Sequence, residues 1–255
     1  MLVDIIYPPV CPVCGKVIRV KSRIPYYYSR ETYDSFICPA CFKKLTFVSE
    51  HFCAVCGREL AVPGAGNVRG KETGIRSAVP LCQKCSEVPR VFAGGRSLLH
   101  YDGVTRPVMM ALKYNSKKEN ADFIGYAVND RLGEWIRGLA PDCIVPVPVS
   151  AERERERGYN QAGLIAGKIS AYTGIPCADL LIRNKNTVAS KKLGAKARVL
   201  NLRGAFAMKE TDSCKGKRIL LVDDICTTGV TLESCAEILL YEGRAAEVYV
   251  LSVCS

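Results

Sequence analysis

The chain has 255 residues, 48% of them hydrophobic and 24% charged, with a formal net charge of +11. This is enough for one α/β domain plus a small appendage, and the composition is globular rather than disordered or fibrous. No run of about 18 apolar residues occurs, which excludes membrane insertion by a helix. Met1–Val10 carries Asp4, two prolines and no basic residue, unlike a secretory leader, so the cytoplasm is the expected compartment.

Residues 1–90 form the first expected unit. Eight of the fourteen cysteines lie there as four C-x-x-C pairs: Cys11/Cys14, Cys38/Cys41, Cys53/Cys56 and Cys82/Cys85. Such a pair lets two thiolates grip one tetrahedral metal, and two pairs complete a closed Cys₄ site. Two structural Zn²⁺ ions are therefore expected, in a double zinc ribbon with no open position for substrate. Sequential pairing is favoured, and an interleaved arrangement stays open. No long helical pattern appears in this stretch, so metal must do the work of a core. With both sites loaded the net charge falls to about +7, which still suits phosphates or nucleic acid as partners.

Residues 91–255 form the second unit, where short apolar runs alternate with helical patterns. Strands are expected at Arg96–Tyr101, Asp142–Val147, Leu180–Arg183, Ala205–Met208, Arg218–Asp223 and Glu247–Val253. Helices are expected at Val104–Tyr114, Ala121–Arg137, Gln161–Tyr172 and Leu232–Tyr241. That alternation argues a parallel sheet with both faces covered, an α/β fold.

The run from Arg218 to Thr231 carries the chemistry. A buried strand ends in Asp223 and Asp224; Ile225, Cys226, Thr227, Thr228, Gly229, Val230 and Thr231 then turn into a helix. In parallel sheets, ligands bind beyond the carboxyl ends of the strands. A turn opening a helix offers free N–H groups to a phosphate, and Gly229 allows close backbone approach. Two acids would repel that phosphate, so they face donors instead, such as the vicinal hydroxyls of a ribose. The string thus spells a ribose 5-phosphate.

The string resembles the signature loop of type I phosphoribosyltransferases, which bind PRPP. The resemblance implies that Asp223 and Asp224 serve as catalytic acids holding the ribose hydroxyls. It implies that residues 225–231 cradle the 5-phosphate, and that Mg²⁺ bridges pyrophosphate and ribose oxygens. Val230 stands where many members have a second glycine.

A second segment follows the strand at Val145-Pro146-Val147-Pro148. Its Arg153, Arg155 and Arg157 offer guanidinium forks, and it continues Gly158-Tyr159-Asn160-Gln161. Glu152, Arg155 and Glu156 read as a solvated helical face. A third segment, Asn184–Arg203, is basic and acid-free, with Lys185, Lys191, Lys192, Lys196, Arg198 and Arg203. Such a loop suits a lid over a polyphosphate.

Together with the four cysteine pairs, these strings resemble the ComF family of phosphoribosyltransferase-like competence proteins. The matching region includes Tyr101-Asp102-Gly103 and Leu112-Lys113-Tyr114. The resemblance implies that Arg153, Arg157, Lys191, Lys192 and Arg198 face pyrophosphate. Ser190 departs from the family's glutamine.

Two functions follow. One is PRPP binding with phosphoribosyl transfer to an unidentified acceptor. The alternative is a non-catalytic adaptor in DNA uptake, binding single-stranded DNA, working with a competence helicase, and sensing PRPP or a terminal phosphate. Lys16, Arg19, Lys21, Arg23 and Arg30 interleave with Tyr26, Tyr27 and Tyr28, as in a stacking platform for bases. His51 and His100 belong to no constellation.

Overall fold

The computed structural model describes residues 8–18, 32–60, 79–114, 117–184 and 204–255. Four strands, β1 (Gly94–Leu99), β2 (Cys143–Pro146), β5 (Arg218–Ile225) and β6 (Glu247–Cys254), form a wholly parallel sheet in the order β1-β6-β5-β2. Ile219, Leu220, Leu221 and Val222 are fully buried, as a central strand covered on both faces requires. A separate antiparallel pair joins β3 (Leu181–Arg183) to β4 (Phe206–Met208).

One face of the sheet is covered by α3 (Thr105–Tyr114), α4 (Asn120–Leu139) and α6 (Gln161–Thr173), whose Leu112, Phe123, Ile124, Ile165 and Ile169 share a core with Leu220 and Val222. The other face is covered by α7 (Val230–Tyr241) and the β3–β4 pair, through Leu232, Leu239, Phe206 and Met208 against Leu221 and Val250. A seven-residue helix, α5 (Ala151–Arg157), follows β2.

The observed elements depart from expectation at their ends and in β3 and β4, two of the six expected strands, which pair antiparallel outside the parallel sheet. Strand β5 runs two residues further, because Asp223 stays in register with Ser252 and Ile225 with Cys254 of β6. Strand β1 starts at Gly94 rather than Arg96. Cβ atoms at Gly94 and Gly95 would lie 3.2 and 2.8 Å from the carbonyl oxygens of Ala54 and Val55, so these glycines mark a close backbone approach that hides the strand from propensity.

Among the described residues before Val91, helix is limited to a 3₁₀ turn (Tyr33–Ser35), α1 (Pro39–Phe42) and α2 (Gln83–Glu87). The first cysteine group packs on α4: Tyr33 donates to Asp130 Oδ2 at 2.8 Å and meets the Tyr126 ring edge-on at 5.0 Å. The connecting segment covers the outer edge of β1, where Val48 N donates to Leu98 O at 3.0 Å and His100 N to Thr46 O at 2.9 Å. The edge at β2 is covered in turn by residues around Cys177, with Ile144 N donating to Pro176 O at 2.9 Å. Neither edge is left as a template for aggregation.

Candidate functional site

The two acids stand at the tip of β5, at the carboxyl edge of the sheet. Asp224 N donates to Asp223 Oδ1 at 2.8 Å, and Asp224 Oδ2 lies 2.7 Å from Lys113 Nζ, with both side chains of that ion pair largely buried. Burial first, and then the neighbouring Asp224 charge, lift the Asp223 carboxyl to about 7; Lys113 and Arg183 act in the opposite direction. The strand tip therefore holds a carboxyl pair in which Asp224 is matched by Lys113 and Asp223 has no ion pair of its own among the described residues. Oxygen donors of this kind suit sugar hydroxyls or a hard cation held mainly by a ligand's own oxygens.

The turn after β5 is anchored at its start, where Cys226 N donates to Cys254 O at 2.8 Å. Gly229 caps α7 at φ +77°, and Glu233 N donates to Gly229 O at 2.9 Å. Thr227 is exposed, while Thr228, Val230 and Thr231 are half-buried. Arg58 Nη2 donates to Thr227 O and, at 3.4 Å, to Cys226 O; Arg90 Nη2 donates to Thr228 O at 3.0 Å. Both arginines come from the cysteine-rich part of the chain.

Beyond β2, the Ser150 hydroxyl accepts from Arg153 N at 3.4 Å and starts α5. The helix separates its arginines as an i, i+4 spacing demands: Arg153 and Arg157 turn inward and are half-buried, whereas Glu152, Glu154, Arg155 and Glu156 are exposed. Arg153 and Asp223 both act electrostatically on Arg183, which closes β3. Arg157 Nη1 donates to Gln161 Oε1 at 2.8 Å and its guanidinium lies 5.0 Å from the Tyr114 ring centre. Tyr159 donates to Leu112 O at 2.6 Å, which ties this segment to the α3 end that carries Lys113, and Asn160 Nδ2 donates to Val147 O at 3.0 Å, which ties it to the end of β2. Lys191, Lys192 and Arg198 lie outside the described residues. The chain leaves and rejoins them where Asn184 N donates to Ala205 O at 2.9 Å.

The cysteines resolve into two groups, Cys11/Cys14/Cys38/Cys41 and Cys53/Cys56/Cys82/Cys85. Within each group the sulfurs lie within 4.8 Å of one another. This is the sequential pairing, and four converging thiols make a closed tetrahedral set that fits structural zinc.

Sequence reasoning assigned no role to Lys113, Arg58, Arg90 or Arg183. Lys113 lies in a string that the family resemblance had flagged. Nothing local marks Arg58 or Arg90, whose partners lie 169 and 138 residues away. His100, also unassigned, pairs through Nε2 with Glu59 and helps hold the second cysteine group to β1.

Residues 2–86 match the double zinc ribbon domain, and residues 157–255 match the phosphoribosyl transferase domain. Over 84% of its length the chain is 32% identical to Competence protein ComFC of Bacillus subtilis, covering 82% of that protein. The chain belongs to the ComF family. Competence protein F of Haemophilus influenzae is 37% identical over 39% of this ComF chain and 44% of its own length. DNA utilization protein YhgH of Escherichia coli K12 is 27% identical over 82% of this chain and 93% of its own. An adenine phosphoribosyltransferase from Leishmania tarentolae is similar over 68% of this ComF chain and 88% of its own, at 15% identity and a TM-score of 0.34, too distant to bear on the site. The double zinc ribbon, the parallel sheet and the phosphoribosyltransferase domain are thus all present in one ComF protein. Among the described residues no helix is long and apolar enough to cross a membrane.

Proposed function

We propose that this ComF protein binds PRPP with Mg²⁺ and transfers its ribose 5-phosphate to an acceptor. The observation that carries this reading is the tip of β5, where a carboxyl pair adjoins a helix-opening turn; among the described residues no backbone carbonyl outside the helix accepts from the N–H groups of Thr227, Thr228 and Gly229. Asp223 and Asp224 accept from the ribose hydroxyls, and residues 225–231 hold the 5-phosphate. Arg153 and Arg157, with Lys191, Lys192 and Arg198 beyond the described residues, face pyrophosphate. Mg²⁺, when bound, neutralises charge on the pyrophosphate. Transfer breaks the bond from C1 to pyrophosphate oxygen as an acceptor atom bonds to C1, and the chain's part is positioning and charge compensation. The boundary between ribbon module and transferase domain falls at about residue 90, and the setting is cytoplasmic.

Calorimetry on zinc-loaded protein tests the reading. Saturable, Mg²⁺-dependent PRPP binding that Asp224→Asn abolishes is expected. Absence of binding overturns it.

A second reading draws on the relatives named for competence and DNA utilization. In it the protein serves DNA uptake by handling single-stranded DNA beside a helicase. The exposed Tyr114, backed by Arg157, supports it as a stacking surface. Single-strand affinity that falls steeply with salt is expected, and salt-insensitive or absent binding removes this reading.

A further inference from the structure

The second cysteine group does more than occupy surface. Three consecutive carbonyls of the phosphate turn, those of Cys226, Thr227 and Thr228, accept hydrogen bonds from Arg58 and Arg90. No described peptide is cis. Across a trans peptide the N–H points opposite to the carbonyl that precedes it. Anchoring these three carbonyls on the ribbon side therefore turns the N–H groups of Thr227, Thr228 and Gly229 away from the ribbon. Among the described residues, no backbone carbonyl outside the helix accepts from these three N–H groups.

Both arginines are themselves held. Arg58 follows Cys56-Gly57, and its carbonyl accepts from Cys53 N at 2.7 Å, which closes the knuckle. Gly57 lies directly on the backbone of Arg96 in β1. Arg90 follows the Cys82/Cys85 pair. Its Nη1 lies 3.9 Å from Glu233 Oε2 in the first turn of α7, and Glu233 Oε1 accepts from Val91 N at 3.1 Å. A continuous path thus runs from the four thiols through two guanidinium groups to the turn. The same groups place two guanidinium charges on the ribbon side of the turn, that of Arg90 facing Glu233.

We infer that the second ribbon is the scaffold of the phosphate turn: Arg58 and Arg90 are positioning residues that preset its N–H groups, so metal at Cys53/Cys56/Cys82/Cys85 and phosphate in the turn strengthen each other's binding. This rests on the reading of the turn as the PRPP 5-phosphate site. Coupling between two binding sites is reciprocal, so it is measurable from either end.

The test uses the full, zinc-loaded chain with PRPP and Mg²⁺ as probe. By calorimetry, Arg58→Met and Arg90→Met weaken PRPP binding by about tenfold or more, and Arg58→Lys, which keeps one donor, recovers part of the loss. In wild type, PRPP slows zinc release from the Cys53/Cys56/Cys82/Cys85 site and leaves the Cys11/Cys14/Cys38/Cys41 site unchanged. A purely structural ribbon would show lower melting temperatures in the Met variants, with PRPP affinity and zinc release unmoved, and that result overturns the inference alone. Wild type that fails to bind PRPP overturns the underlying reading and the inference with it. If a Met variant fails to fold, the wild-type release experiment still decides, since equal release with and without PRPP refutes the coupling.

Discussion

Lys113 Nζ and Asp224 Oδ2 are 2.7 Å apart at the tip of β5, so a lysine from the last turn of α3 is paired with the second carboxyl of the Asp223-Asp224 string. The ion pair is largely buried and compensates a carboxyl that would otherwise repel its neighbour Asp223. Replacing the lysine by methionine keeps most of its volume and removes the charge-assisted hydrogen bond, leaving the largely buried Asp224 carboxyl unpaired. Lys113→Met is expected to lower stability by about 1–3 kcal/mol in urea titrations near neutral pH. It is also expected to raise the Asp223 pKa further, since Lys113 opposes the upward shift. An unchanged midpoint would mean that the pair contributes nothing.

Asp223 gives a pH dependence of definite sign. Its carboxyl is raised to about 7 by burial and by Asp224. In the window between the ordinary aspartate value and about 7 the folded state holds a proton that the unfolded state has released. The stability this group contributes is therefore complete in acid and is lost as pH rises through about 7. Asp223→Asn removes the ionisation, so its stability relative to wild type should improve by about 1–3 kcal/mol between pH 5 and pH 8. Matched urea melts at the two pH values check this, and a gap that does not change with pH refutes it.

The same ionisation governs ligand affinity in the opposite sense. Ribose hydroxyls need an acceptor, and only the carboxylate form of Asp223 is purely one. PRPP affinity in Mg²⁺ should therefore climb as pH rises through about 7 and then level off. Calorimetry across that range on wild type and on Asp223→Asn separates this group from the ligand's own titration. A slope equally steep in both proteins would place the dependence elsewhere.

The legible and illegible parts of this site divide by sequence distance. The acids, the threonine turn and the helix they open lie within fourteen consecutive residues, from Arg218 to Thr231, and their order alone implies a sugar phosphate. The C-x-x-C pairs were equally plain as ligands, yet their pairing stayed open until the fold placed the sulfurs together. The start of strand β1 is not legible in the sequence because its first two residues are glycines, required by backbone contact with Ala54 and Val55 rather than by strand propensity. Arg58 and Arg90 follow the same logic: an arginine after a knuckle looks like any surface cation until a turn far along the chain is folded against it.

Two glycines in equivalent knuckles provide a contrast. Gly15 after Cys14 and Gly57 after Cys56 both have positive φ, +72° and +71°. A Cβ at Gly15 meets nothing within 4 Å, whereas one at Gly57 would lie 2.3 Å from Arg96 Cα. Gly15→Ala should cost about 1–2 kcal/mol of backbone strain and leave both metals bound. Gly57→Ala adds an overpacking cost of about 1–3 kcal/mol against β1 and should loosen the second ribbon from the sheet. Urea melts and hydrogen exchange at Arg96 read the difference. Equal effects of the two substitutions would show that the second knuckle is not seated on the sheet.

Metal loss should also distinguish the ribbons, because access to the two sites differs. In the first group Cys14 is exposed and Cys38 half-buried, whereas in the second Cys53, Cys56 and Cys85 are all buried and only Cys82 is half-buried. A chelator must reach a thiolate to replace it, so a strong chelator with a chromogenic readout should release about two zinc equivalents per chain in two phases. The faster equivalent comes from the first group. Cys14→Ser should remove that fast phase and leave the slow one intact, while the second group, enclosed with Leu81 and tied to β1 through Gly57 and Glu59, keeps its metal longer. A single phase of two equivalents, or a slow phase lost in Cys14→Ser, would mean that burial of the sulfurs does not control exchange. A total well below two would overturn the double-ribbon metal assignment itself.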